Sequence, residues 1–209
     1  MMTTANEVLT RARIMPVLTI DRLEYAVPLA QALLEGGLTA VEITLRTPIA
    51  FAAIEAVSKA LPALDVGVGT ITSADDLHRS VDVGASFAIS PGQTQALLDA
   101  GQGLPIPFIP AVANASDILA CLAAGYETVK FFPAEASGGI AALKSFTGPF
   151  PQMRFCPTGG INGQSAPTYL ALDAVDCVGG SWMVSSQAIK ARDWAGVTAA
   201  ARAAVEAAA

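Results

Sequence analysis

Histidine occurs once in this 209-residue chain, at His78. Chemistry built on Ser-His-Asp or Cys-His pairs is therefore not expected, and a metal-dependent lyase or epimerase would need several imidazole ligands. Cysteine occurs three times, as Cys121, Cys156 and Cys177, with no C-x-x-C pair. These read as small buried hydrophobes in a reducing, cytoplasmic compartment. Charge is also scarce, at 14% of residues against the usual ~25%. The net charge is -6 and basic residues nowhere cluster, which excludes the footprint of a nucleic-acid partner. No uncharged apolar run reaches the ~18 residues of a membrane span. The opening MMTTANEVLTRARIMPVLTI is polar first and stops at Asp21, unlike a signal peptide.

What is abundant is apolar residue, at 53%. That predicts one compact domain over residues 1–209 with a large core, and a surplus for a subunit interface. Short β-rich runs recur: MPVLTI (15–20), AVEITL (40–45), VGVGT (66–70), FAIS (87–90), PFIPAV (107–112), TVKFF (128–132), RFCPTG (154–159) and DCVGG (176–180). The intervals carry helical signals. Thr47 with Pro48, Ser73, and Asn114 or Ser116 are start residues, and Gly36-Gly37, Gly84 and Gly125 are stops. The chain ends in an Ala-rich helix. Eight such strand–helix units predict an α/β fold, a (β/α)8 TIM barrel with an N-terminal helix. The alternative is an open doubly wound sheet, which the absence of G-x-G-x-x-G after the first strand disfavours.

One lysine is out of place. Lys59, Lys144 and Lys190 sit in helical contexts, whereas Lys130 sits inside TVKFF. In a strand Thr128, Lys130 and Phe132 share one face, and Val129 and Phe131 the other. If the apolar pair packs on outer helices, Lys130 points inward. Burial disfavours a charged amine, and a neutral amine attacks carbonyls to form Schiff bases. The plainer reading is a packed stem whose head reaches solvent.

The neighbouring constellation favours chemistry. In VEITLR, Glu42, Thr44 and Arg46 alternate with Val41, Ile43 and Leu45. In a parallel barrel the polar set faces inward, where charges are tolerable only if they meet a partner or a substrate. A carboxylate beside an amine can shuttle protons. Arg46 can hold a carboxylate in a bidentate fork, and Thr70 offers a hydroxyl at the same rim. Two glycine pairs, Gly159-Gly160 and Gly179-Gly180, end the last two strands, where barrels commonly bind phosphate. Their backbone N–H groups can approach phosphate oxygens, and Ser181 adds a hydroxyl at an expected helix start.

VEITLRTP, GVGTI, FAISPG, KFFPAEASGG, RFCPTGGI and GGSWMV, in this order, resemble the 2-keto-3-deoxy-6-phosphogluconate (KDPG) aldolase family, from about Met15 to Val184. The resemblance implies a class I aldolase of the Entner–Doudoroff pathway, a homotrimer that needs no cofactor and no metal. Its substrate is a keto-acid sugar phosphate, cleaved to pyruvate and glyceraldehyde 3-phosphate. By resemblance, Lys130 forms the Schiff base and Glu42 transfers protons. Arg46 and Thr70 hold the pyruvate carboxylate, Phe132 walls the pyruvyl methyl, and Thr158 meets the polar substrate chain. Gly159, Gly160, Gly179, Gly180 and Ser181 match the phosphate loops. The alternative substrate for the same lysine is 4-hydroxy-2-oxoglutarate. The rim after the fifth strand departs from the family, with Ala111 and Asn114 where Gly and Thr are more usual.

Overall fold

The computed structural model describes residues 3–208. Met1, Met2 and Ala209, the last residue of the expected C-terminal helix, lie outside the described residues. The chain alternates helix and strand: α1 (Ala5–Ala12), β1 (Ile14–Leu18), α2 (Leu23–Glu35), β2 (Ala40–Thr44), α3 (Ala50–Ala60), β3 (Asp65–Gly69), α4 (Ala74–Asp82), β4 (Phe87–Ile89), α5 (Gln95–Gln102) and β5 (Phe108–Ile109). It continues with β6 (Ala111–Val112), α6 (Ala115–Ala123), β7 (Thr128–Phe131), α7 (Gly139–Thr147), β8 (Arg154–Pro157), α8 (Ala166–Leu170), β9 (Val178–Gly180), α9 (Ser186–Ala191) and α10 (Trp194–Ala208).

Every strand pairing is parallel, in two sheets ordered β5-β4-β3-β2-β1-β9 and β6-β7-β8. The run PFIPAV, expected as one strand, is split into β5 and β6 at Pro110. A proline has no N–H for the ladder, although the Pro110 carbonyl still accepts the Lys130 N–H at 2.9 Å. The other ends of the two sheets meet at an isolated parallel bridge, Thr158 with Gly179. The expected strand DCVGG forms a regular strand only from Val178 onwards, although the Asp176 N–H still donates to the Phe155 carbonyl at 3.2 Å. Asp176 is instead committed below it, accepting from Arg154 Nε at 2.9 Å and from Asn6 Nδ2 at 2.8 Å.

The helices start largely where their polar caps predict. Ser73 and Asp76 form a reciprocal capping box on α4, and the Asn114 side chain caps α6. Thr4 and Glu7 do the same for α1. Thr47 is the exception. Its hydroxyl donates to the Ile20 carbonyl at 2.6 Å, and α3 starts only after Ile49, with no side-chain cap.

Burial separates two apolar layers. The larger lies between strands and helices and includes Val41, Ile43, Val129 and Phe131. The smaller lies on the inner strand faces, where α1 contributes Val8, Leu9 and Ala12 to a cluster with Met15, Phe87, Ile109, Cys156 and Cys177. α1 thus plugs one end of the strands. The buried polar residues Glu42, Lys130 and Thr158 belong to neither cluster.

Candidate active site

β2 and β7 build the centre of the site. Both are buried along their whole length, so their polar residues have no solvent-facing side to occupy. Lys130 is 5% exposed and Glu42 2%. Lys130 Nζ donates to Glu42 Oε1 at 3.0 Å and to Oε2 at 3.1 Å. The pair links residues 88 positions apart and satisfies two charges that would be prohibitive alone. The Phe132 ring lies 5.3 Å from Nζ, within cation–π range. The other three lysines are exposed.

Room for the carboxylate comes from β3. A Cβ on Gly69 would stand 2.5 Å from Glu42 Cγ and 2.7 Å from its Cδ. Gly67 likewise clears the Phe87 ring. The V-G-V-G alternation therefore leaves one face of β3 bare, and Glu42 fills part of it.

Above this pair opens a cavity of about 340 Å³, within the usual ~300–1,000 Å³ of small-ligand sites. Eight of the predicted residues line it: Arg46, Lys130, Phe132, Thr158, Gly159, Gly160, Gly180 and Ser181. Glu42 lies buried against Lys130, outside the lining. Thr70 and Gly179 are also outside it. Thr70 ends β3 with φ +65°, a left-handed conformation that strains a β-branched residue by roughly 1–3 kcal/mol. Gly179 makes room for Thr158, whose Cγ2 would lie 2.9 Å from a Cβ there.

The glycine turns differ in what makes them glycine. Gly159 and Gly160 have φ of +104° and +82°, open at little strain only to glycine. Among the described residues the N–H groups of Gly160 and Ile161 donate to no protein acceptor. Gly180 is excluded from carrying a side chain by the Trp182 ring. Ser181 does not start a helix as expected. It is exposed and opens a turn closed by the Val184 N–H on its carbonyl at 3.0 Å. α9 begins at Ser186, capped by the Ser185 side chain.

Sequence reasoning missed Thr19, Ile161, Val184 and Ile189 in the cavity wall. Thr19 was the readable one, as a hydroxyl just beyond the end of a strand. Its oxygen lies 3.0 Å from that of Thr44, which donates to the Leu18 carbonyl at 2.8 Å.

Two of the three cysteines are held as thiols by burial. Burial pushes the Cys121 thiol up to about 12, with Asp117 adding to the effect. Burial also raises Cys177 well above an ordinary thiol, with Cys156 beside it. His78 is exposed on α4. Among the described residues no three His, Cys, Asp or Glu side chains form a metal-binding group, and no helix is long and apolar enough to cross a membrane.

The chain that builds this site is similar to known proteins over nearly its whole length. The KHG/KDPG aldolase of Escherichia coli (strain K12) is 46% identical over 204 residues, 98% of this chain and 96% of that one. A KDPG aldolase from Legionella pneumophila, solved with pyruvate captured at low pH as a covalent carbinolamine intermediate, superposes with a TM-score of 0.93. It is 47% identical over 95% of this chain and 96% of its own. The enzyme of Zymomonas mobilis ZM4, solved with 3-phosphoglycerate, gives a TM-score of 0.91 at 44% identity, over 95% and 93% of the two chains. The KDPG and KHG aldolase family model matches residues 5–200, and this chain belongs to that family.

Proposed function

We propose that this protein is a class I aldolase that cleaves 2-dehydro-3-deoxy-6-phosphogluconate to pyruvate and D-glyceraldehyde 3-phosphate. The observation that carries the reading is the buried contact of Lys130 Nζ with both oxygens of Glu42, at 3.0 and 3.1 Å. Glu42 takes a proton from the lysine, and the neutral amine attacks the C2 ketone. Glu42 returns its proton to the carbinolamine hydroxyl, which leaves as water and gives an iminium, the electron sink. Glu42, directly or through a water, removes the C4 hydroxyl proton; the C3–C4 bond breaks and the aldehyde leaves. The enamine is then protonated at C3 by the same residue, and water releases pyruvate and Lys130. Acid–base help of this kind contributes about 10²–10⁴-fold.

The remaining residues position the substrate. Arg46 and Thr70 hold the carboxylate and aim the ketone at the amine. Phe132 walls the pyruvyl methyl and Thr158 meets the polar chain. Gly159, Gly160, Gly180 and Ser181 receive the phosphate through N–H groups and a hydroxyl, with Gly179 giving Thr158 its space. The unpartnered N–H groups of Gly160 and Ile161 support that assignment, and the Zymomonas mobilis relative was solved with a phosphorylated ligand, 3-phosphoglycerate. 4-Hydroxy-2-oxoglutarate is the second substrate this chemistry serves, in keeping with the double name of the Escherichia coli relative.

The same reading extends to architecture. Chain continuity across Pro110 and the bridge from Thr158 to Gly179 support one closed (β/α)8 barrel. A single large core cluster running from Ile14 to Ala208 supports one domain. The family resemblance carries the homotrimer, and exposed Leu23 and Leu119 are apolar surface available to an interface. The three free buried thiols support a cytoplasmic setting. The test is borohydride reduction with pyruvate, followed by peptide mass mapping. Label on Lys130 is expected, and label confined to Lys59, Lys144 or Lys190 would overturn the assignment.

A further inference from the structure

Glu135 and Tyr169 take no part in the chemistry above, yet both close on the first glycine turn. Glu135 lies in the turn after β7. Backbone bonds tie that turn to the end of β8: the Ala134 N–H donates to the Thr158 carbonyl at 2.8 Å, and the Glu135 N–H to the Gly159 carbonyl at 3.1 Å. The Glu135 side chain then crosses Gly160. A Cβ on Gly160 would stand 2.6 Å from Glu135 Cγ and 2.7 Å from its Cβ. The stem therefore occupies the space behind Gly160.

The far end of this side chain is fixed as well. The Tyr169 hydroxyl donates to Glu135 Oε1 at 2.7 Å. Tyr169 on α8 is fully buried, so its hydroxyl has few other places to find an acceptor. Burial first, and the Glu135 bond second, raise this phenol above its ordinary value and keep it a donor. Gly139 leaves space for the contact, since a Cβ there would lie 3.2 Å from the Tyr169 hydroxyl.

A carboxylate beside a phosphate site is electrostatically unhelpful, so its presence there calls for another use. We propose that Glu135, anchored by the Tyr169 hydroxyl, is a positioning residue that braces the Gly159–Gly160 turn so that its N–H groups face the substrate phosphate. This rests on the reading of that turn as a phosphate loop. Bracing needs the stem and an acceptor oxygen, not the charge. Glutamine keeps both; alanine keeps neither.

The experiment compares wild type with Glu135→Gln, Glu135→Ala and Tyr169→Phe. It measures cleavage of the 6-phosphorylated keto acid and of its unphosphorylated counterpart, and pyruvate trapping by borohydride. Glu135→Ala should raise KM for the phosphorylated substrate about tenfold, the equivalent of one or two hydrogen bonds, with kcat nearly unchanged. Glu135→Gln should stay at the wild-type KM. Tyr169→Phe should raise KM about threefold, and it keeps the proposal testable if the alanine variant fails to fold. Pyruvate trapping and cleavage of the unphosphorylated substrate should not move. An unchanged KM in Glu135→Ala and Tyr169→Phe, or a glutamine variant as impaired as alanine, overturns the proposal. So does an equal loss on both substrates. A wild type that cleaves both substrates equally well overturns the phosphate reading itself, and the brace with it.

Discussion

Replacing Gly69 with alanine adds one methyl group to the inner face of β3, directly against the Glu42 side chain. The backbone permits it, because Gly69 is not among the residues of positive φ. The space does not. The new Cβ would stand 2.5 Å from Glu42 Cγ and 2.7 Å from Cδ, against the ~3.5–4.0 Å of ordinary carbon contacts. The carboxylate must yield by about 1 Å, and a side chain only 2% exposed can do that only by changing rotamer. A new rotamer surrenders the two contacts to Lys130 Nζ. Overpacking of this kind costs about 1–3 kcal/mol. For a chain of this size that lowers Tm by roughly 2–12 °C, at ~2–4 °C per kcal/mol. The sharper readout is exchange of the pyruvate methyl protons with deuterium, followed by NMR. It should fall by about 10²-fold or more as Glu42 leaves its post, while borohydride trapping at Lys130 persists. Gly67→Ala is the control: its Cβ meets the Phe87 ring in the apolar layer, so it should lower Tm without selectively slowing exchange. Wild-type exchange in a folded Gly69→Ala protein would refute the argument.

Glu42→Gln tests the same residue without steric change. Trapping of pyruvate should survive while methyl-proton exchange slows by about 10²–10⁴-fold, measured by the same NMR assay. Activity should also survive exhaustive EDTA treatment; a loss that added Zn²⁺ or Mg²⁺ restores would contradict the Schiff-base route. Gly160→Val meets both a φ of +82° and the Glu135 stem. In steady-state assays it should lower kcat/KM for the phosphorylated substrate by about 10²-fold or more, the value of two charge-assisted hydrogen bonds. Pyruvate trapping in that variant should stay near wild type, and an equal loss of both would make the turn merely structural.

The legible part of the site was the part governed by strand alternation. Lys130 and Glu42 each sit between apolar neighbours, and in a parallel sheet buried on both faces that alternation leaves only the interior for the polar set. Ser73 and Asn114 were legible for a similar reason: a cap is decided within three residues of the helix it starts. The misses have causes of different range. Thr47 has the local look of a cap, but its side chain is turned to the Ile20 carbonyl, 27 residues earlier, and the helix starts later. Ser181 follows a glycine pair as helix starts often do, yet the Trp182 ring packs back over Gly180 and a turn intervenes. Pro110 was visible, and the ladder break it causes follows from proline chemistry. The left-handed backbone of Thr70 and the clearance Gly69 gives Glu42 have no sequence signature, because both are set by neighbouring strands.

The helix that plugs the far end of the strands also sets what lies behind the Lys130–Glu42 pair. Val8, Leu9 and Ala12 pack into the inner apolar cluster with Met15, Phe87 and Cys177, and Asn6 ties the helix down through Asp176. Cys156, in the same cluster, is the register partner of Lys130 on β8. An apolar backing of this kind has a low dielectric, and electrostatic contacts made against it are stronger than the same contacts in water. The plug, which lines no part of the cavity, thus gives the pair a dry wall.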